Sequence, residues 1–237
     1  MDTNNKEVKN PHKGHRKRLR DKALKNGIDS LAEHEVMELI LFFSIAQKNT
    51  NSVAHRLIDE FGSVSAVLDA PETELVKIEG VSQTTASILK SVPEIASYYM
   101  QDKLKNNITD ISSSEDAYEI LAPKYIGKTA ERVMALFLNS AGKTLACEEI
   151  SEGTVNSAGI SSRKIVELCI KYQATQVILS HNHPSGNPMP SMDDFIASKN
   201  VNSALKSIDS KLVDHLIITD RGFTSMERLN QFKNAFK

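Results

Sequence analysis

Cysteine is nearly absent from this chain: Cys147 and Cys169 are the only two among 237 residues, and they form no CxxC pair. Two thiols cannot build a disulfide framework, so the expectation is buried free cysteines in a reducing compartment. Long apolar runs are missing as well. No stretch reaches the roughly 18 residues of a membrane span, and the basic N-terminal segment is not followed by an apolar signal core. Together these predict a soluble, cytoplasmic protein with no membrane partner. Proline (7) and glycine (10) are few, and no internal repeat or low-complexity tract occurs. With 40% hydrophobic and 25% charged residues the composition is that of a folded chain, which excludes bulk disorder. Nor does one sign of charge prevail, since the formal net charge is −1.

The charge that exists is unevenly placed. Residues 13–25 carry seven basic side chains (Lys13, Arg16, Lys17, Arg18, Arg20, Lys22 and Lys25) against one acid, Asp21. Such a run either holds phosphates or lines a solvated helix. Arg16, Lys17, Arg18 and Arg20 are its candidates for nucleic-acid contact.

The length admits one large domain or two modest ones, and the apolar pattern favours two in an α+β chain. Residues 1–102 read as a basic N-terminus and an all-helical domain, with helical spacing over 31–45 and 53–61. Within it, residues 75–89 outline a helix end, a tight turn through Gly80 and a new helix from near Ser82, a helix-hairpin-helix. Turns of this kind aim backbone N–H groups at a phosphate. Here Ser82 stands where a second glycine is usual, and Lys77, Glu79, Lys90, Glu72 and Glu74 form no basic patch around it. Residues 103–114 are polar and read as a linker. From 115 to 237 strand and helix signals alternate: a helix over 115–124, strands over 133–138 and 144–150 joined by a turn at 139–142, a helix over 163–172, a strand over 176–180, a helix over 191–207 and a final long strand over 212–219. A hairpin followed by crossover units implies a mixed sheet flanked by helices.

The chemistry concentrates where the 176–180 strand meets the next helix. Strand side chains alternate faces, so His181 and His183 project the same way while Asn182 points off. Pro184, Gly186, Pro188 and Pro190 make a rigid loop leading to Ser191, a good N-cap, and Asp194 stands in the first turn that follows. Taken alone, His-x-His is commonly a pair of surface histidines, and Ser-x-x-Asp is a helix capping box. Together, across a loop that reverses the chain, they read as two imidazoles and a carboxylate holding one Zn²⁺ with an open position for water. That water would ionise near pH ~7. Asp193 points roughly 100° away around the helix. The same ligands also suit Fe²⁺ or Mn²⁺. A base for the water's proton is left open by spacing among Glu131, Glu148, Glu149 and Glu152.

The run His181-Asn-His-Pro-Ser-Gly-Asn-Pro-Met-Pro-Ser191-Met-Asp-Asp194 resembles the JAMM (MPN+) metalloprotease signature at all four fixed positions. More specifically, the chain resembles the bacterial RadC family through Gly153-Thr-Val-Asn156, Ser180-His-Asn-His-Pro-Ser-Gly186, Asp214-His-Leu-Ile-Ile218 and Gly14-His-Arg-Lys-Arg-Leu19. The resemblance implies an MPN fold for the second domain, Glu131 as general base ahead of the first core strand, and Ser191 as a donor to the oxyanion, with Glu148 or Glu149 as the fallback base. Asp214 and His215 are left outside the site, because a histidine in an apolar strand is commonly a hydrogen-bonded core residue. The leading reading is a zinc-dependent hydrolase cleaving an amide or isopeptide bond in a peptide or protein. The alternative is a DNA-associated repair or recombination factor whose metal domain processes nucleic acid or stabilises a scaffold.

Overall fold

The computed structural model describes residues 14–46, 50–104, 110–152 and 160–237, so that the 153–156 motif, His12 and Lys13 lie outside the described residues. The backbone divides into two compact units, Met1–Glu94 and Ile95–Lys237. No helix among the described residues is long and apolar enough to cross a membrane.

The first unit is helical: α1 (His15–Asn26), α2 (Glu33–Leu41), α3 (Asn51–Phe61), α4 (Val64–Asp69), α5 (Glu72–Leu75) and the start of α6 (Gln83–Leu104). Met37, Leu41, Val53, Ala54, Leu57, Val67, Leu75 and Leu89 form its core. Each fully buried aliphatic side chain there contributes about 1.5–3 kcal/mol. The turn between α5 and α6 needs its glycine twice over: Gly80 has φ +93°, and a Cβ there would stand 2.7 Å from Val53 Cγ2. Helix α1 buries only Leu19 and is attached by polar contacts instead. His15 Nε2 lies 3.0 Å from both carboxylate oxygens of the buried Glu38, which also accepts from Thr50 Oγ1 at 2.9 Å. The helix expected over 31–45 stops at Leu41. Carbonyls of Ile45 and Ala46 beyond its end accept from the Arg16 guanidinium, which also lies 4.6 Å from the Phe42 ring centre.

The second unit runs α7 (Ser114–Leu121), β1 (Arg132–Leu138), β2 (Thr144–Glu152), α8 (Ser162–Tyr172), β3 (Gln176–Asn182), α9 (Met192–Lys206), β4 (Lys211–Thr219) and β5 (Gly222–Ser225). Its five-stranded sheet has the order β2-β1-β3-β4-β5, with β3 and β4 parallel and the other pairs antiparallel. This is the mixed sheet with flanking helices that the alternating pattern implies. Strand β4 is not the last, however: a two-residue turn at Asp220 and Arg221 returns the chain into the short β5, Thr219 pairing with Gly222. The last turns of α6 belong to this unit, because Ser97 Oγ donates to Pro123 O at 2.7 Å and Lys124 Nζ to Gln101 Oε1 at 3.1 Å. The division between units accordingly falls inside α6 beside Pro93, ahead of the polar stretch 103–114.

Alternation along the strands sets two faces. Val133, Ala135, Phe137, Val177 and Leu179 meet Ile165 and Cys169 of α8 and Ala197, Val201 and Leu205 of α9. Met134, Leu136, Leu138, Ile178, Leu216 and Ile218 meet Ala117 and Leu121 of α7 on the other side. With both faces covered, β3 is buried nearly along its length.

Candidate metal centre

The site forms where β3 leaves the sheet. His181 lies opposite Val133 of β1 and Ile217 of β4, so its ring takes the face covered by α8 and α9 and is fully buried. One step beyond the strand, His183 N still donates to Ile218 O at 2.9 Å, which keeps the chain extended and returns the second imidazole to that face. The loop then turns through Gly186, whose N–H donates to His183 O at 3.0 Å, and reaches the start of α9. In α9 the residues Asp194, Ala197, Ser198, Val201, Asn202 and Leu205 are buried, a helical stripe that lays Asp194 on the sheet. Ligand atoms of His181, His183 and Asp194 all lie within 4.8 Å of one another.

Asp194 serves two purposes with two oxygens. Oδ2 accepts from Ser191 N at 2.7 Å and from Ser191 Oγ at 2.6 Å, while Asp194 N donates back to Ser191 Oγ at 3.1 Å, completing a capping box. Oδ1 is turned to the histidines, 3.3 Å from His181 Nε2. The capping and ligand readings of Ser-x-x-Asp are therefore compatible in one side chain.

The partners of the two rings determine where their protons sit. Asp194 O is a carbonyl and can only accept, so the Ser198 hydroxyl hydrogen is directed to it over 2.7 Å. Ser198 Oγ then accepts from His215 Nδ1 at 2.8 Å, which leaves His215 Nε2 as the acceptor for His181 Nδ1–H at 2.9 Å. His181 Nε2 is left with a bare lone pair. His183 arrives at the same state separately, since its Nδ1 donates to Asn187 O at 2.7 Å. The two bare nitrogens stand 2.8 Å apart beside Asp194 Oδ1. With both rings in their neutral forms three acceptors face one another, an arrangement that a bound cation satisfies.

Charge state agrees with this assignment. Burial first, and then the neighbouring His215 ring, hold the His181 pKa down to about 3 against the pull of Asp194. Burial and then His183 hold His215 down to about 3 as well. Both rings are neutral at pH 7, so no proton has to leave them before a cation binds.

The sequence family described as the RadC-like JAB domain matches residues 111–231, and the UPF0758 N-terminal family matches residues 12–87. A UPF0758 protein of Fusobacterium nucleatum subsp. nucleatum is 32% identical over 220 residues, covering 90% of this chain and 95% of that relative. The chain belongs to the RadC family. Its JAB domain is of the JAMM-like kind, whose members typically bind a metal and often are hydrolytic, and the His-His-Asp group is where such a metal would sit.

The remaining candidates of this RadC-family chain fall in different places. Glu131 is half-buried in the irregular segment immediately before β1. Of the fallback bases, Glu148 pairs with Ala135 and shares the histidine face, where its carboxylate accepts from Tyr172 Oη. Glu149 pairs with Met134 on the opposite face and, like Glu152, is bound by Arg132, at 2.9 and 2.7 Å respectively. Ser191 is held in the capping box. In the helical unit the Arg16 guanidinium is committed to carbonyls and to Phe42, whereas Lys17, Arg18 and Arg20 are exposed.

Sequence reasoning left out Ser198 and His215, which orient His181. A signal for the first existed, because Ser198 lies four residues after Asp194 on the same helical face. His215 was legible as a hydrogen-bonded core histidine, but its partner was not. His215→Phe keeps a buried ring and removes the acceptor for His181 Nδ1–H. It should weaken metal binding about 10–100-fold in competition with a chromophoric chelator, and His215→Gln, which can offer an oxygen acceptor, should recover part of the loss. An unchanged affinity in His215→Phe would mean that the ring does not hold the ligand.

Proposed function

We propose that this chain is a zinc-dependent hydrolase of the JAMM type, cleaving an amide or isopeptide bond. The convergence of bare His181 Nε2, bare His183 Nε2 and Asp194 Oδ1 is the observation that carries this reading. Two neutral imidazoles and one carboxylate are a donor set of catalytic zinc sites, which keep a position open, and no cysteine belongs to the group. When bound, the ion supplies Lewis acidity and lowers the pKa of a coordinated water towards about 7.

Glu131 is the base in this reading, its carboxylate taking the proton and returning it to the leaving amine. Ser191 contributes at the oxyanion by turning its hydroxyl from Asp194 Oδ2 to the substrate. Its own backbone N–H, 2.7 Å from Oδ2, keeps Asp194 oriented when it does so. Buried His215 and Ser198 hold the first histidine in the tautomer that presents Nε2.

The test is hydrolysis of a quenched-fluorescent mixture of peptides and isopeptide-linked conjugates. Activity should vanish on dialysis against a chelator and return with Zn²⁺. Cleavage that survives metal removal, or metal-restored cleavage of single-stranded DNA in place of the peptides, would overturn the proposal.

A further inference from the structure

Between the two histidines stands a residue that points away from them. Alternation in β3 sends the Asn182 side chain to the opposite face, where it is 5% exposed and lies against the irregular segment that precedes β1. Its three hydrogen bonds all go to backbone. Oδ1 accepts from Arg132 N at 2.7 Å, and Nδ2 donates to Ala130 O at 3.0 Å and to Lys128 O at 3.3 Å.

The pattern has a specific consequence for one residue. The Ala130 carbonyl belongs to the peptide group before Glu131, and the Arg132 N–H to the peptide group after it. A single side-chain amide therefore holds both peptide planes that flank the Glu131 Cα. Those two planes set φ and ψ of Glu131, and with them the direction in which its side chain leaves the backbone. In an extended chain the same C=O and N–H point to one side and pair with a neighbouring strand. Here the ladder between β1 and β3 ends at Val133 and His181, and the backbone of β3 beyond it turns to β4, with His183 N donating to Ile218 O. The Asn182 amide takes the place of the missing strand.

We propose that Asn182 is the positioning residue for Glu131, so that one strand end delivers the two histidines on one face and orients the base from the other. The proposal rests on Glu131 being the base. Because Asn182 is joined at the backbone to both histidines, the segment carrying Glu131 is referenced to the same strand end that carries them.

The test compares Asn182→Ala with the parent and with Glu131→Gln, all loaded with Zn²⁺. Three results are expected of Asn182→Ala: hydrogen exchange at the Arg132 amide faster by at least about tenfold, Zn²⁺ affinity within about threefold of the parent, and peptide turnover reduced about 10–100-fold. Combined with Glu131→Gln it should add nothing further, as expected of residues that act through one another. Asn182→Asp retains the acceptor for Arg132 N–H and loses the donors to Ala130 and Lys128. It should keep the Arg132 amide protected while still lowering turnover, which separates orientation of Glu131 from loss of fold. An unchanged Arg132 amide in Asn182→Ala, or a fall in Zn²⁺ affinity as large as the fall in turnover, would overturn the proposal. An inactive Glu131→Gln beside a fully active Asn182→Ala overturns the positioning role alone. A fully active Glu131→Gln removes the base assignment and this proposal with it.

Discussion

Glu131→Gln should retain its metal and lose about 10²–10⁴-fold in turnover, the range general bases contribute. The argument is one of register. Val133 and His181 are the last pair of the β1–β3 ladder, and Glu131 lies two residues before Val133, just ahead of β1. Alternation carried back from Val133 would put Glu131 on the face that His181 takes, which is the expectation this variant tests. The other acids of the first hairpin lack this placement. Glu149 pairs with Met134 and is turned to the opposite face, and Glu148 pairs with Ala135, two residues deeper along the strand, with its carboxylate engaged by Tyr172. Metal content by plasma emission and turnover on the same preparation check the prediction. An active Glu131→Gln would move the role to Glu148, the fallback that shares the histidine face.

His181→Ala should emerge without metal where the parent carries about one equivalent. Of the three candidate ligands, His181 is the one joined to everything else: to His183, to Asp194 and, through Nδ1, to the His215–Ser198 chain. Its loss leaves a half-buried loop histidine and one carboxylate, too few donors for a tetrahedral site. The same variant provides a thermal readout. A ligand present at about a thousand times its Kd stabilises the folded state by roughly 4 kcal/mol. For a chain of this size that raises the melting temperature on the order of 10 °C. Added Zn²⁺ should shift the parent by this amount and leave His181→Ala unmoved. Equal zinc in both proteins would sink the metal assignment.

Much of the second unit was legible because its patterns are short-range. The strands at 133–138 and 176–180 are apolar runs with no competing helical period, and the two-residue spacing of His181 and His183 places them on one face wherever the strand lies. The missed β5 is only four residues long, and its turn at Asp220 and Arg221 lacks the Asn-Gly or Asp-Gly pair that announces a hairpin. Past the end of helix α2 the carbonyls of Ile45 and Ala46 are met by the Arg16 guanidinium, a partner about thirty residues away by sequence that no local pattern encodes. A basic run likewise does not say which of its cations will be drawn into the fold.

The candidate residues were set by the sequence: the alternation of a strand points His181 and His183 to one face, and the first turn of a helix holds Asp194, both by local rules, while the packing of α9 on the sheet brings the three together. What surrounds the group was decided by the tertiary structure. In β4 the pairing with β3 slips by one residue, Val177 facing Leu212 and Ile178 facing Asp214. Without that irregularity the alternation from Leu212 would bring Asp214 to the histidine face. With it, His215 faces His181, and Asp214 turns to the other side to accept from Ser114 and Ser225 at 2.8 and 2.6 Å. A one-residue slip exchanges the faces of every later side chain in a strand, and a slip depends on how two distant segments pair. Local sequence could therefore name the three side chains that converge but not the residue that holds the first of them in place.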